Sequence, residues 1–145
     1  MADNEQLKHA VQRATELHNS GDAEGFASCY ADPCLFQSGR KDQHLSRAAH
    51  AEAVRSYFEV FPDFCGTIET LLADGDRAYV RWSYTGTHLG TSRTGVAPTG
   101  KHIEIGSILA ELRFEHGLIV EVWERASFVD VKDLADSPQG THPAA

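Results

Sequence analysis

The chain has 145 residues, 13 of them Lys or Arg and 21 Asp or Glu, for a formal net charge of −8. That balance excludes the basic surface that nucleic acids require and works against docking on an anionic membrane. Hydrophobic residues at 41% and charged residues at 23% are ordinary globular usage, the length suits one domain, and no apolar run approaches the roughly 20 residues that span a bilayer.

The opening MADNEQLKHA lacks the charged-then-apolar pattern of a secretion signal, so a cytoplasmic protein is expected. Asp3 and Gln6 have capping-box spacing, and Leu7, Ala10, Val11, Ala14 and Leu17 follow at helical steps, predicting a first helix that Asn19, Ser20 and Gly21 end. Asp22 then caps a short second helix through about Tyr30, stopped by Pro33. Residues 34–38 read as a short strand. Residues 39–43 read as a polar loop, in which Arg40, Lys41 and Asp42 are solvated. Ser46 caps a third helix to about Val60, with Val54, Tyr57, Phe58 and Phe61 on its apolar face.

The second half reads as strands at 67–72, 77–88, 102–114 and 118–128. Asp74-Gly75 and Gly117 turn between them, and a glycine-rich loop fills 89–100. Such neighbours pair most simply as an antiparallel meander. The expectation is an α+β fold: a curved antiparallel sheet covered by about three N-terminal helices. One domain should span 4–136, followed by a flexible tail at 137–145 that contains His142. On the last strand, Val120, Val122, Glu124 and Ala126 alternate with Ile119, Glu121, Trp123 and Arg125. Neither set is purely apolar, so both faces should be used, one lining a pocket and the other meeting a partner subunit.

Cys29, Cys34 and Cys65 show no CxxC spacing, and the eight histidines form no HExxH, so no metal site is expected. Trp82 and Tyr84 share one face with Val80 and could stack on a flat ligand, or serve as plain core. Tyr30 and Tyr57 could place hydroxyls into the interior or simply pack there.

Three stretches carry a resemblance: HAEAVRSYFEVFPDF at 50–64, YTGTHLGTSRTGVAPTGKHIEI at 84–105 and LRFEHGLIVEVWERASF at 112–128. In this order and spacing they resemble the SnoaL-like polyketide cyclase family of the nuclear-transport-factor-like superfamily. The resemblance implies a cone-shaped sheet, a homodimer through its outer face, and a cavity for a small apolar or aromatic polyketide-like molecule. It implies acid/base chemistry without metal or organic cofactor: aldol-type cyclisation or isomerisation of a carbonyl substrate. Related members suggest alternatives, namely a cofactor-free hydroxylase or hydratase-type accessory protein, or a non-catalytic ligand-binding dimer.

The family's catalytic acid, just after the E-x-W position, matches Glu124. Its histidine on the preceding strand matches Ala110, its asparagine near the first short strand matches Gln37, and its G-x-H-x-G histidine matches His88. Glu124 is therefore the expected acid/base, with His88 beside it as a second catalytic candidate. Gln37, Tyr57, Trp82, Tyr84, His102, Glu104 and Ala110 are the expected substrate contacts; His102 and Glu104 enter because they share strand parity with Ala110. A surface ion pair of Glu124 with Arg81, Arg113 or Arg125 is the alternative role for that side chain.

Overall fold

The computed structural model describes residues 3–38, 41–130 and 133. Arg40 and the segment 137–145 with His142 lie outside the described residues. Helix α1 (Asn4–Asn19) starts on the expected capping box: the Gln6 amide donates to Asp3 at 2.8 Å and the Asp3 amide to the Gln6 side chain at 3.0 Å. Its stripe buries Leu7, Val11 and Ala14, and one turn further on the same line stands His18. Asn19 ends the helix by bonding Gly66 twice, donating to its carbonyl at 2.8 Å and accepting from its amide at 2.7 Å. Helix α2 (Ala23–Ala27) is shorter than expected. Helix α3 (Arg47–Val60) starts at Ser46, whose hydroxyl accepts from the Ala49 amide.

Six strands follow chain order as β1 (Tyr30–Ser38), β2 (Lys41–Leu45), β3 (Cys65–Asp74), β4 (Arg77–Thr87), β5 (His102–Glu115) and β6 (Leu118–Phe128). They form one sheet in the order β2-β1-β6-β5-β4-β3. The expected meander β3-β4-β5-β6 is present. The first strand is longer than the 34–38 segment read from sequence and pairs parallel with β6, so the sheet is mixed. The segment read as a polar loop turns back as β2 against β1. Its polar composition hid it, because an edge strand with a solvated side shows no apolar alternation. The sheet is curled but unclosed; α1 packs on β3 and β4, and α3 on β1 and β2. Leu7, Val11, Cys34, Val80, Leu112 and Val122 make the main core between them.

One irregularity decides which side chains face inward. Tyr84 pairs with Gly106, but Thr85 pairs with Glu104, leaving Ile105 as the extra residue of a β-bulge. Gly106 has φ 152°, and a Cβ there would lie 2.1 Å from the Ser127 carbonyl oxygen. Beyond the bulge the alternation reverses. Ala110 and Leu112 are buried on one side of it, Ile103 and Ile105 on the other, while His102 and Glu104 point to solvent.

Candidate active site

Helices and sheet enclose a cavity of about 180 Å³. Val11 and Ala14 of α1, Val54 of α3, Ile108 and Leu112 of β5 and Val122 of β6 make most of its wall apolar. Glu124 is the one acidic residue among the lining residues, and no Lys or Arg joins it. From β6, Ile119, Val122, Glu124 and Phe128 line the cavity. Val120 is the extra residue of a bulge between the Ile119 and Glu121 pairings, which puts Ile119 on the same side as the even residues beyond it, while Ala126 is exposed.

The Glu124 carboxyl makes no hydrogen bond or ion pair among the described residues. Loss of hydration pushes its pKa from 4.5 to about 7. The surface ion pair considered as its alternative role is not formed. Arg113 is held by Glu121 and Glu115, Arg81 donates to Thr70, and Arg125 donates to the backbone carbonyl of Glu124 at 2.8 Å.

Three tyrosines share the cavity with it. Tyr30, Tyr57 and Tyr84 all line the wall, and none of their hydroxyls bonds to another described residue. Burial pushes all three phenols up. Glu124 adds to the shift in each case, behind Cys34 for Tyr30 and second only to burial for Tyr57 and Tyr84. Tyr84 stacks on Phe64 with centroids 5.2 Å apart, and Tyr57 stacks on the same ring at 4.9 Å.

Two histidines that the sequence reading passed over also line the wall. His18 sits edge-on to Phe26 at 4.9 Å and near Phe64 at 5.2 Å. His50, 5% exposed, stacks on Tyr30 with centroids 3.9 Å apart and planes 15° off parallel. His18 Nδ1 and His50 Nε2 are sealed and without a partner among the described residues. Burial lowers both imidazoles to about 4, so both are neutral at pH 7. Helical spacing carried the signal: His18 continues the line of Leu7, Val11 and Ala14, and His50 precedes Val54 and Tyr57 by four and seven residues.

Of the expected contacts, Tyr57, Trp82 and Tyr84 line the cavity. The Trp82 indole donates to Thr15 Oγ1 at 3.0 Å, which fixes its ring against α1. Ala110 pairs with Glu124 across β5 and β6 and is buried, but it is too short to reach the wall. Gln37 is a correction: Cys34 and Phe36 take the inner side of β1, so Gln37 falls on the outer side, where it donates to Asp42 and pairs with Trp123. His88 is a second correction. It is buried away from the cavity, beside Phe61, and its Nδ1 accepts from the Thr99 amide at 3.3 Å. Its own backbone bonds to Lys101 and Gly100, so it closes the base of the 88–101 loop. His102 and Glu104 are the third: the bulge turns them outward, and His102 Nδ1 meets Thr87 Oγ1 at 2.9 Å.

A curled mixed sheet with helices packed over an apolar cavity is the nuclear-transport-factor-like kind of α+β fold. Residues 8–133 match the family described as SnoaL-like polyketide cyclase, and the chain belongs to that family. Among solved structures it is similar to AclR, a candidate hydroxylase from Streptomyces galilaeus. The identity is 25% over 91% of this chain and 86% of that one, with a TM-score of 0.76. It is similar also to IdmH, a candidate polyketide cyclase from Streptomyces antibioticus, at 26% identity over 88% and 94% of the two chains, TM-score 0.71. A ketosteroid isomerase candidate from Kribbella flavida, 19% identical over 97% and 87% with a TM-score of 0.63, shares the fold. A comparison with curated protein sequences found no match. No helix among the described residues is long and apolar enough to cross a membrane.

Proposed function

We propose that the protein is a small-molecule enzyme of the acid/base type, acting on an enolisable, polyketide-like carbonyl compound by aldol-type cyclisation or isomerisation. One observation carries this reading: a single carboxyl, unpaired in an apolar cavity, with its pKa raised to about 7. Such a group is divided between its charged and neutral forms at neutral pH, so it can take a proton from carbon as a base and return it as an acid. The reaction needs a base at the acidic carbon and then an acid, and one carboxyl serves as both. Tyr57, Trp82 and Tyr84 supply flat walls for an aromatic ligand. That no metal or organic cofactor takes part rests on the family resemblance.

The test uses 1-tetralone, a flat aromatic ketone with an enolisable methylene. The wild-type protein should accelerate exchange of its α-protons into deuterated water, read by proton NMR, with an inflection near pH 7. Glu124→Gln should bind the ketone, read by thermal shift, and exchange nothing above background. Undiminished exchange by Glu124→Gln goes against the reading.

The likeness to AclR favours a second reading, cofactor-free oxygenation or hydration on the same scaffold. That reading asked for Glu124 with His88 and His102, and the two histidines lie outside the cavity. An oxygen-18 label entering the product from water or dioxygen would select it. We further propose a homodimer, through the outer sheet face that exposes Leu72, Tyr79, Leu109 and Trp123.

A further inference from the structure

Tyr30 is 8% exposed, and its phenol is polar. Buried tyrosine hydroxyls ordinarily find a partner in the protein. This one bonds to no described residue, yet it is not among the sealed, unpartnered atoms of the described residues. Its side chain lines the cavity, so the open side of its hydroxyl is the cavity itself.

Tyr30 is more deeply buried than Tyr57 and Tyr84, which are half-buried. His50 stacks on it at 3.9 Å, and Phe26 meets it at 5.2 Å and 61°. Its backbone carbonyl accepts from Arg47 Nε at 2.9 Å, tying the start of β1 to the start of α3. The stacked imidazole is neutral, so it neither pulls a proton from the phenol nor offers a competing cation. Tyr30 and Glu124 line the same cavity, so one ligand can meet both the donor and the base. Ala110, where the resemblance calls for a histidine, offers no polar atom beside Glu124.

We infer that Tyr30 is a catalytic hydrogen-bond donor, held by its stack on His50, that binds the oxygen on which negative charge develops when Glu124 takes a proton from the neighbouring carbon. The inference rests on the acid/base reading of Glu124. The electron balance is closed. The C–H pair becomes the new C=C bond, the carbonyl π pair moves to oxygen, the proton rests on Glu124, and the Tyr30 O–H donates to the enolate oxygen without leaving its own oxygen. Return of the proton, or of a solvent deuteron exchanged onto Glu124, restores the ketone. In a water-poor cavity a donor fixed before the reaction stabilises that oxygen far better than it would in water.

The experiment has two arms. In the first, Tyr30→Phe should slow 1-tetralone exchange by about 10²–10³-fold, the usual loss for one oxyanion donor. Its melting temperature and its Kd for 2-methylnaphthalene, which has no oxygen, should stay as in the wild type and so report an intact fold and cavity. The second arm works without turnover. In a Glu124→Gln background, 2-naphthol should bind about tenfold tighter than 2-methylnaphthalene, the worth of one hydrogen bond, and adding Tyr30→Phe should erase that preference. A preference that survives Tyr30→Phe, or is absent with Tyr30 in place, overturns the inference. A wild-type protein that exchanges nothing, yet loses its 2-naphthol preference on Tyr30→Phe, refutes the role of Glu124 and keeps Tyr30 as the oxygen-binding donor. Exchange that Glu124→Gln abolishes and Tyr30→Phe leaves intact does the reverse.

Discussion

Glu124→Gln should make the protein more stable, and only on the neutral and alkaline side. Burial lifts the Glu124 pKa from 4.5 to about 7, and each unit is worth about 1.36 kcal/mol. Keeping the side chain ionised in the folded protein at pH 8 therefore costs up to about 3 kcal/mol, which a glutamine of the same shape avoids. The sign follows from proton counting. Between pH 4.5 and 7 the folded state holds the proton that the unfolded state has released, so wild-type stability falls as pH rises through that window. At pH 4 both proteins carry a neutral side chain and the difference closes. At about 2–4 °C per kcal/mol for a chain of this size, the variant should melt roughly 6–12 °C above wild type at pH 8. Paired melts by circular dichroism from pH 4 to 8.5 measure this, and subtracting the two curves removes every group they share. A difference that stays constant with pH would refute the isolation of this carboxyl.

Other outcomes follow from the same physics. His50, lowered from 6.5 to about 4, contributes stability that is complete above pH 6.5 and is lost as pH falls toward 4. His50→Gln should therefore show a shallower acid limb in urea denaturation, by up to about 3 kcal/mol between pH 7 and 4. Gly106→Ala should cost about 3 kcal/mol or more in the same assay, since its Cβ meets the Ser127 carbonyl oxygen at 2.1 Å on a backbone that L-residues rarely adopt. Paired Leu109→Lys and Trp123→Lys substitutions should turn the proposed dimer into a monomer by light scattering, with the melting temperature of the monomer measured alongside; a mass unchanged from wild type would place any interface elsewhere.

Much of this architecture was readable because local and global signals agree. The capping box at Asp3 and Gln6, the Ser46 cap, the apolar stripes of α1 and α3 and the turns at Gly75 and Gly117 each state in a few residues what the packing then requires. The strands β1 and β2 were harder. β2 at the edge is polar except for Leu45, and the Pro33 that marks a helix stop lies inside β1. At the site, Glu124 was reached through the family resemblance, and Tyr57, Trp82 and Tyr84 by helical spacing and alternation. His18 and His50 fit the same spacing, but a histidine on an apolar stripe is easily passed over in favour of its aliphatic neighbours. His102 and Glu104 were misplaced by counting in twos across residue 105, and Gln37 by a register that its own strand partners decide.

That extra residue at 105 also divides β5 by task. The half from Gly106 onward is in phase with the cavity, to which it gives Ile108 and Leu112. The half before it is in antiphase: its inward isoleucines pack on Phe61 and Phe64, and its polar side chains face water. Changes at His102 and Glu104 can thus retune surface charge around the loop without altering the shape that the ligand meets. One glycine lets the two halves of a single strand vary independently.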